Sequence, residues 1–233
     1  MDTKPEQTNV NAEKRTTIYN VIILDKSGSM TSIAPQAISG VNETLAAIRC
    51  AQLKDPSLDN RVTLVAFCGC ELKKIYDMTP IAEAHDISAN DYCPCCMTPL
   101  YDAVGQTITH VHQATTGQLV AVAVTIITDG YENASREFDG KTIKKLIDQY
   151  KDEGWMFAYI GADHDVEAVA AKMSIDNHMA FDKTAAGTTS MFCRERSSKM
   201  RWINKMKQAI NSNEDEEAAR KEMRENNSDY FPF

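Results

Sequence analysis

The stretch Asp25-Lys26-Ser27-Gly28-Ser29 follows the apolar run Val21 to Leu24 with a carboxylate and two hydroxyls around a glycine. Two more oxygen-bearing side chains have a similar setting. Asp129 closes the apolar run Leu119 to Thr128, and Thr98 stands with Pro99 where a periodic apolar segment opens. Carboxylates and hydroxyls are hard donors, and together they favour a hard divalent cation. Mg2+ takes one or two protein carboxylates and keeps several waters, and Mn2+ or Ca2+ accepts the same oxygen ligands. Gly28 lets the chain turn tightly, so that both serine hydroxyls can face one ion. Two carboxylates only just neutralise a divalent ion, which leaves a coordination position attractive to an external carboxylate.

The cysteines offer a second, softer chemistry. Cys93, Cys95 and Cys96 lie just before Thr98, and Cys68 and Cys70 follow the strand-like run Arg61 to Phe67. If that strand runs parallel to the one ending at Asp25, these five thiols gather near one edge. Zinc sites commonly use C-x2-4-C spacing, which Cys93 and Cys96 meet and Cys68 and Cys70 do not. The alternatives are therefore a zinc-responsive or redox-sensing rim and a set of free thiols. Seven cysteines in all fit poorly with a complete set of disulfides.

Strands and helices must position these groups. Residues 17–25, 61–67, 71–77, 119–130, 155–161 and 178–181 read as strands, and the short Cys68–Cys70 link suits a hairpin. Helices are expected at 32–54, from Thr98-Pro99 onward with Thr98 as N-cap, and at 141–152 and 164–173. The segment 54–60 reads as a turn and 79–97 as irregular. Strands alternating with helices predict an α/β fold, a doubly wound and mostly parallel sheet with helices on both faces. Ligands of such sheets sit beyond the carboxyl ends of the strands, where the strand order reverses; Asp25 and Asp129 both lie at such ends. Residues 1–15 read as a flexible leader and 16–183 as the domain. The remainder, 184–233, reads as an extension: a packed helix to about 210, then a charged, solvated helix or fray.

With Asp25, Ser27 and Ser29, then Thr98 in TPLYDAV, then Asp129 in TDG, the chain resembles a von Willebrand factor type A domain carrying a metal-ion-dependent adhesion site. The similarity is strongest to bacterial intracellular members such as the tellurium-resistance-associated proteins. The resemblance implies a six-stranded sheet of order 3-2-1-4-5-6 with strand 3 antiparallel. It implies that Ser27 and Ser29 bind the metal directly, Thr98 directly or through water, and Asp25 and Asp129 mainly through water or hydrogen bonds. It further implies a partner protein that supplies a Glu or Asp carboxylate to the ion.

Competing chemistries find less support. Gly140-Lys141-Thr142 resembles part of a phosphate loop, but Ser135 stands where glycine is needed. A phosphoryl-accepting Asp25 would need a second aspartate at position 27, which is serine. His110 and His112 point to different helix faces. Lys26 reads as solvent-facing or ion-paired, Asp102 as a first-turn acid or an acceptor near the site, and Glu132 and Asn133 as a solvated loop. The expectation is a protein-binding module, not an enzyme. The net charge of -8 argues against a nucleic-acid partner. No apolar run has membrane-spanning length and the first fifteen residues lack an apolar signal core, so the expected location is cytoplasmic.

Overall fold

In a computed structural model describing residues 15–213 and 215–231, a six-stranded sheet carries helices on both faces. The strands are β1 (Thr16–Asp25), β2 (Leu58–Cys68), β3 (Glu71–Pro80), β4 (Ala121–Thr128), β5 (Met156–Gly161) and β6 (Asn177–Ala180). The helices are α1 (Ala34–Lys54), α2 (Leu100–Thr115), α3 (Gly140–Asp152), α4 (Val166–Lys172), α5 (Ala185–Ser212) and α6 (Glu216–Asn227). The strand order is β3-β2-β1-β4-β5-β6, and every neighbouring pair is parallel except β2 with β3. This is the α/β architecture the sequence predicts. The leader expected at 1–15 falls, apart from Arg15, outside the described residues.

The period-2 alternation of a strand divides the core into two layers. Ile18, Ile22 and Leu24 of β1 pack with residues of α1, α5 and α6, whereas Tyr19, Val21 and Ile23 pack with residues of α2, α3 and α4. β1 and β4 are buried on both faces, which is why they read as unbroken apolar runs. β1 pairs with both β2 and β4, so the reversal of strand order lies beside its carboxyl end, at Asp25.

Several local expectations are corrected. β2 begins at Leu58, inside the predicted turn, because Leu58 pairs with Thr16 at the start of β1. Helix α2 begins at Leu100, with Pro99 in the capping position and no side-chain cap from Thr98. The charged segment expected as a solvated helix or fray is helical, but it is not wholly solvated. It forms α6, which buries Ala219 and Met223. Arg220 donates to the carbonyls of Glu153 and Gln118 at 3.0 Å, and Trp202 Nε1 of α5 donates to Asn227 Oδ1 at 2.8 Å.

Helix α5 crosses the sheet with charged groups in its buried face. Lys199 and Glu195 are 0% and 2% exposed, yet they face apolar neighbours only in part. Lys199 Nζ lies 3.1 Å from Glu195 Oε1 and donates to Thr125 Oγ1 of β4 at 3.2 Å. The Tyr230 hydroxyl donates to Glu195 Oε1 at 3.1 Å. A buried pair of charges persists when its remaining hydrogen-bonding capacity is met, and here three elements meet it. At the α1–α5 crossing, the bare backbone of Gly40 accommodates Phe192, whose ring would lie 2.2 Å from a Cβ at that position. Among the described residues, no helix is long and apolar enough to cross a membrane.

Candidate functional site

Asp25 is fully buried at the end of β1, and both of its carboxylate oxygens are engaged. Oδ1 accepts from the Ser27 backbone N–H at 2.6 Å and Oδ2 from Thr128 Oγ1 at 2.6 Å. The side chain therefore ties the end of β1 to the end of β4. Burial pushes its carboxyl up to about 6, against the opposing hydrogen bonds from Thr128 and Ser27, and the nearby Asp129 adds to the rise. Thr128 is a site residue that sequence reasoning missed; within an apolar strand it gave no sign of facing a carboxylate. Tyr92 is another: from the irregular segment, its hydroxyl donates to the Asp25 carbonyl at 2.6 Å.

Of the next two hydroxyls, that of Ser27 is on a buried residue and that of Ser29 on an exposed one. Ser27 and Ser29 hold their Oγ atoms 3.1 Å apart, and Ser29 Oγ donates to Asp129 Oδ1 at 2.7 Å. Thr98 is buried, and its Oγ1 would lie 3.7 Å from a Cβ placed on Gly130. The hydroxyl is thus against the residue that follows Asp129. All five predicted residues, Asp25, Ser27, Ser29, Thr98 and Asp129, therefore meet in one crevice from three separate loops.

The loop 131–139 is structural to a degree the sequence did not suggest. Asn133 Oδ1 accepts from Thr98 N at 2.8 Å, and Asn133 N donates to Thr98 O at 3.1 Å. Glu132 Oε2 accepts from Tyr101 N at 2.9 Å, and Ser135 Oγ accepts from Asp102 N at 3.0 Å. These two side chains satisfy the exposed amides at the start of α2, which leaves the Thr98 hydroxyl free of capping. Asp102 accepts from the backbone N–H groups of Arg136, Glu137 and Phe138 at 2.7 to 2.9 Å, so it anchors this loop and does not reach the crevice.

Lys183, between β6 and α5, is the other residue sequence reasoning missed. Its Nζ lies 2.7 Å from Asp129 Oδ2 and 3.4 Å from Asp163 Oδ2. Asp129 Oδ2 is buried, and its partner is the Lys183 ammonium, an ion pair at hydrogen-bonding distance. No local spacing could have revealed a lysine that arrives from the far end of the sheet. An oxygen-only donor set, with one carboxylate oxygen already facing a positive charge, fits a hard divalent cation. Lys26 points elsewhere: it is buried and ion-paired with Glu71.

The five rim thiols do not form one group. Cys93 is exposed, whereas the sulfurs of Cys68, Cys70, Cys95 and Cys96 lie within 4.8 Å of one another. Cys70 and Cys96 are joined as a disulfide, so the alternative of a wholly free set of thiols does not hold at those positions, while Cys68, Cys93 and Cys95 are free.

No family model matches the sequence, and no curated protein does. Solved structures match the fold. A von Willebrand factor type A protein from Catenulispora acidiphila aligns at TM-score 0.53 and 14% identity, over 80% of this chain and 43% of that one. The vWF domain of the type V pili tip protein Mfa5 from Porphyromonas gingivalis aligns at 0.52 and 11% identity, over 77% and 95% of the two chains. The pilus adhesin SpaC from Lactobacillus rhamnosus GG aligns at 0.52 and 16% identity, over 79% and 30%. The chain spans less than half the length of the first solved structures it matches. The fold is that of von Willebrand factor type A domains.

Proposed function

We propose that this chain is a non-enzymatic, divalent-cation-dependent protein-binding module. In this reading Ser27 and Ser29 hold Mg2+, or Mn2+ or Ca2+, directly. Thr98 and Asp129 complete the protein's share of the shell, and Asp25 fixes the serine loop from behind. The ion supplies an electrophilic position for a Glu or Asp carboxylate of a partner protein. The observation that carries the reading is the convergence of the Ser27 and Ser29 hydroxyls and the Asp129 carboxylate within hydrogen-bonding distance in one crevice, with the buried Asp129 Oδ2 held by the Lys183 ammonium, a positive charge that a cation can replace.

The surroundings support a protein partner. Met97 and Tyr131, each 55% exposed, stand next to Thr98 and two residues after Asp129, and such apolar groups suit a contact surface. A groove of about 700 Å³ runs from Phe67 and Gly69 past Met97 and Pro99 to Glu137, alongside the same rim. With a net charge of -8 on the chain, an acidic partner needs the cation at the point of contact. The fold neighbours from pilus proteins are consistent with a binding role. The bacterial intracellular, tellurium-resistance-like character and the cytoplasmic location belong to the same reading, as does a boundary near 183 between the domain and its extension.

Mn2+ titration followed by electron paramagnetic resonance tests the site. The full chain should take up one Mn2+ that Mg2+ displaces, and Ser29→Ala and Asp129→Ala should each lose it. Binding of a glutamate-bearing peptide should then require the ion and vanish in EDTA. Failure of the unaltered chain to bind Mn2+ at millimolar concentration would overturn the reading.

A further inference from the structure

The four clustered sulfurs come from two loops that meet over the rim. Cys68 ends β2 and Cys70 ends the turn into β3; Cys95 and Cys96 precede Thr98. Backbone bonds hold the second loop to the first and to the neighbouring serine loop. Gly69 N donates to Met97 O at 2.7 Å, Cys95 N to Lys26 O at 2.8 Å, and Gly28 N to Cys96 O at 3.1 Å. A Cβ at Gly69 would lie 3.2 Å from both Met97 Cβ and Met97 N, so glycine between the two cysteines permits the close approach.

We propose that Cys68, Cys70, Cys95 and Cys96 form a tetrathiolate zinc site when reduced. A tetrahedral site with Zn–S bonds of about 2.3 Å separates its sulfurs by about 3.8 Å. Here all four lie within 4.8 Å of one another, and Cys68 Sγ and Cys95 Sγ are 3.4 Å apart. The ligands therefore need only small side-chain adjustments to enclose an ion. Four thiolates around Zn2+ carry two net negative charges, and the buried Lys26 ammonium lies within Coulombic reach of Cys68 and Cys95.

The backbone at Cys96 supplies an independent argument. Its φ of 63° lies in the left-handed region, where a side chain costs roughly 1–2 kcal/mol relative to glycine. The cluster, in its disulfide or its metal-bound form, gives a cysteine in that conformation a use for its sulfur. The ligand pattern, C-x-C followed by C-C, differs from the C-x2-C pair of Cys93 and Cys96 that the sequence singled out. Cys93 lies outside the cluster and is exposed.

The Cys70–Cys96 disulfide is the oxidised counterpart of this site. Two electrons and two protons, delivered by a dithiol reductant that becomes a disulfide itself, return the pair to thiols. The four thiols then release their protons as the metal binds.

The test is cobalt substitution in the full-length chain. The protein is reduced with a phosphine, which water converts to its oxide as the disulfide opens, and is stripped of metal before Co2+ is added. We expect one Co2+ per chain with the intense visible and sulfur-to-metal absorption of a tetrahedral thiolate centre, displaced by equimolar Zn2+. Cys96→Gly removes a ligand while suiting the left-handed backbone, so it should fold and lose the absorption. Cys93→Ser should retain it. Asp129→Ala should also retain it, which separates this site from the oxygen-lined crevice, where Co2+ would be octahedral and pale. Absence of the thiolate absorption in the reduced chain, or its persistence in Cys96→Gly, would overturn the proposal.

Discussion

Replacing Lys183 by methionine removes the ammonium that faces Asp129 while keeping the length and apolar character of its stem. In the structure that ammonium lies 2.7 Å from Asp129 Oδ2, so a divalent ion sharing the Asp129 carboxylate would compete with it for the same oxygen. With the ion and Nζ about 5 Å apart, on either side of one carboxylate, their repulsion at water-like screening is about 1.7 kcal/mol. Full screening gives the smallest value the pair allows, because the lysine side chain is only 18% exposed and that of Asp129 is 0%. That energy corresponds to cation affinity roughly 15-fold higher in Lys183→Met. Lys183→Arg preserves the charge and should leave affinity within a few-fold of the unaltered chain. Isothermal titration with Mn2+ at low ionic strength measures both. Equal or weaker binding in Lys183→Met would refute the reasoning, because it would mean that the ammonium does not stand against the ion.

Three further perturbations address the frame around the site. In EDTA, the raised carboxyl of Asp25 should make stability fall as pH increases: its contribution is whole below the ordinary 3.8 and is lost as pH passes through about 6, a difference of roughly 3 kcal/mol. Urea midpoints across that interval should show the decline, and Asp25→Asn should flatten it. Lys199→Met strands the buried Glu195 carboxylate and should cost about 3–5 kcal/mol in urea unfolding, most of it recovered when Glu195→Gln is added. Gly40→Ala should destabilise by about 1–3 kcal/mol despite alanine's better helix propensity, because its methyl meets the Phe192 ring; Phe192→Leu should restore part of the loss in a thermal melt.

The parts of this fold legible in the sequence are those where one physical constraint dominates. β1 and β4 are buried on both faces, so hydrophobicity alone marks them, and the polar residues at their ends stand out against it. The candidate oxygen donors were legible for the same reason. Residues acting across the fold were not. Thr128, Tyr92 and Lys183 gain their roles from contacts that no local period encodes. The docking of helix α6 was not legible because only Ala219 and Met223 face inward, while its arginines dock through carbonyls of other elements. The cysteine cluster was half legible: proximity at one rim followed from parallel strands, but the ligand pairs depend on the register of two loops.

That register makes the rim a single mechanical unit. Asp25 cannot leave its place without breaking its bonds to Thr128 and to the Ser27 amide, so the serine loop is fixed to β4 before any ion arrives. The Thr98 loop is fixed from both sides. Asn133 holds Thr98 itself, while Cys95, Cys96 and Met97 are bonded through their backbones to Lys26, Gly28 and Gly69. A site assembled in this way loses little chain entropy on cation binding, because the ordering has already been achieved in folding. The two aspartates consequently divide the work. Asp25 has no free oxygen, so its substitution should disturb the loop as a whole, whereas Asp129 Oδ2 is held by the Lys183 ammonium alone and meets a cation as a charge. Asp129→Asn should therefore remove cation binding with little change in thermal stability, and Asp25→Asn should change both.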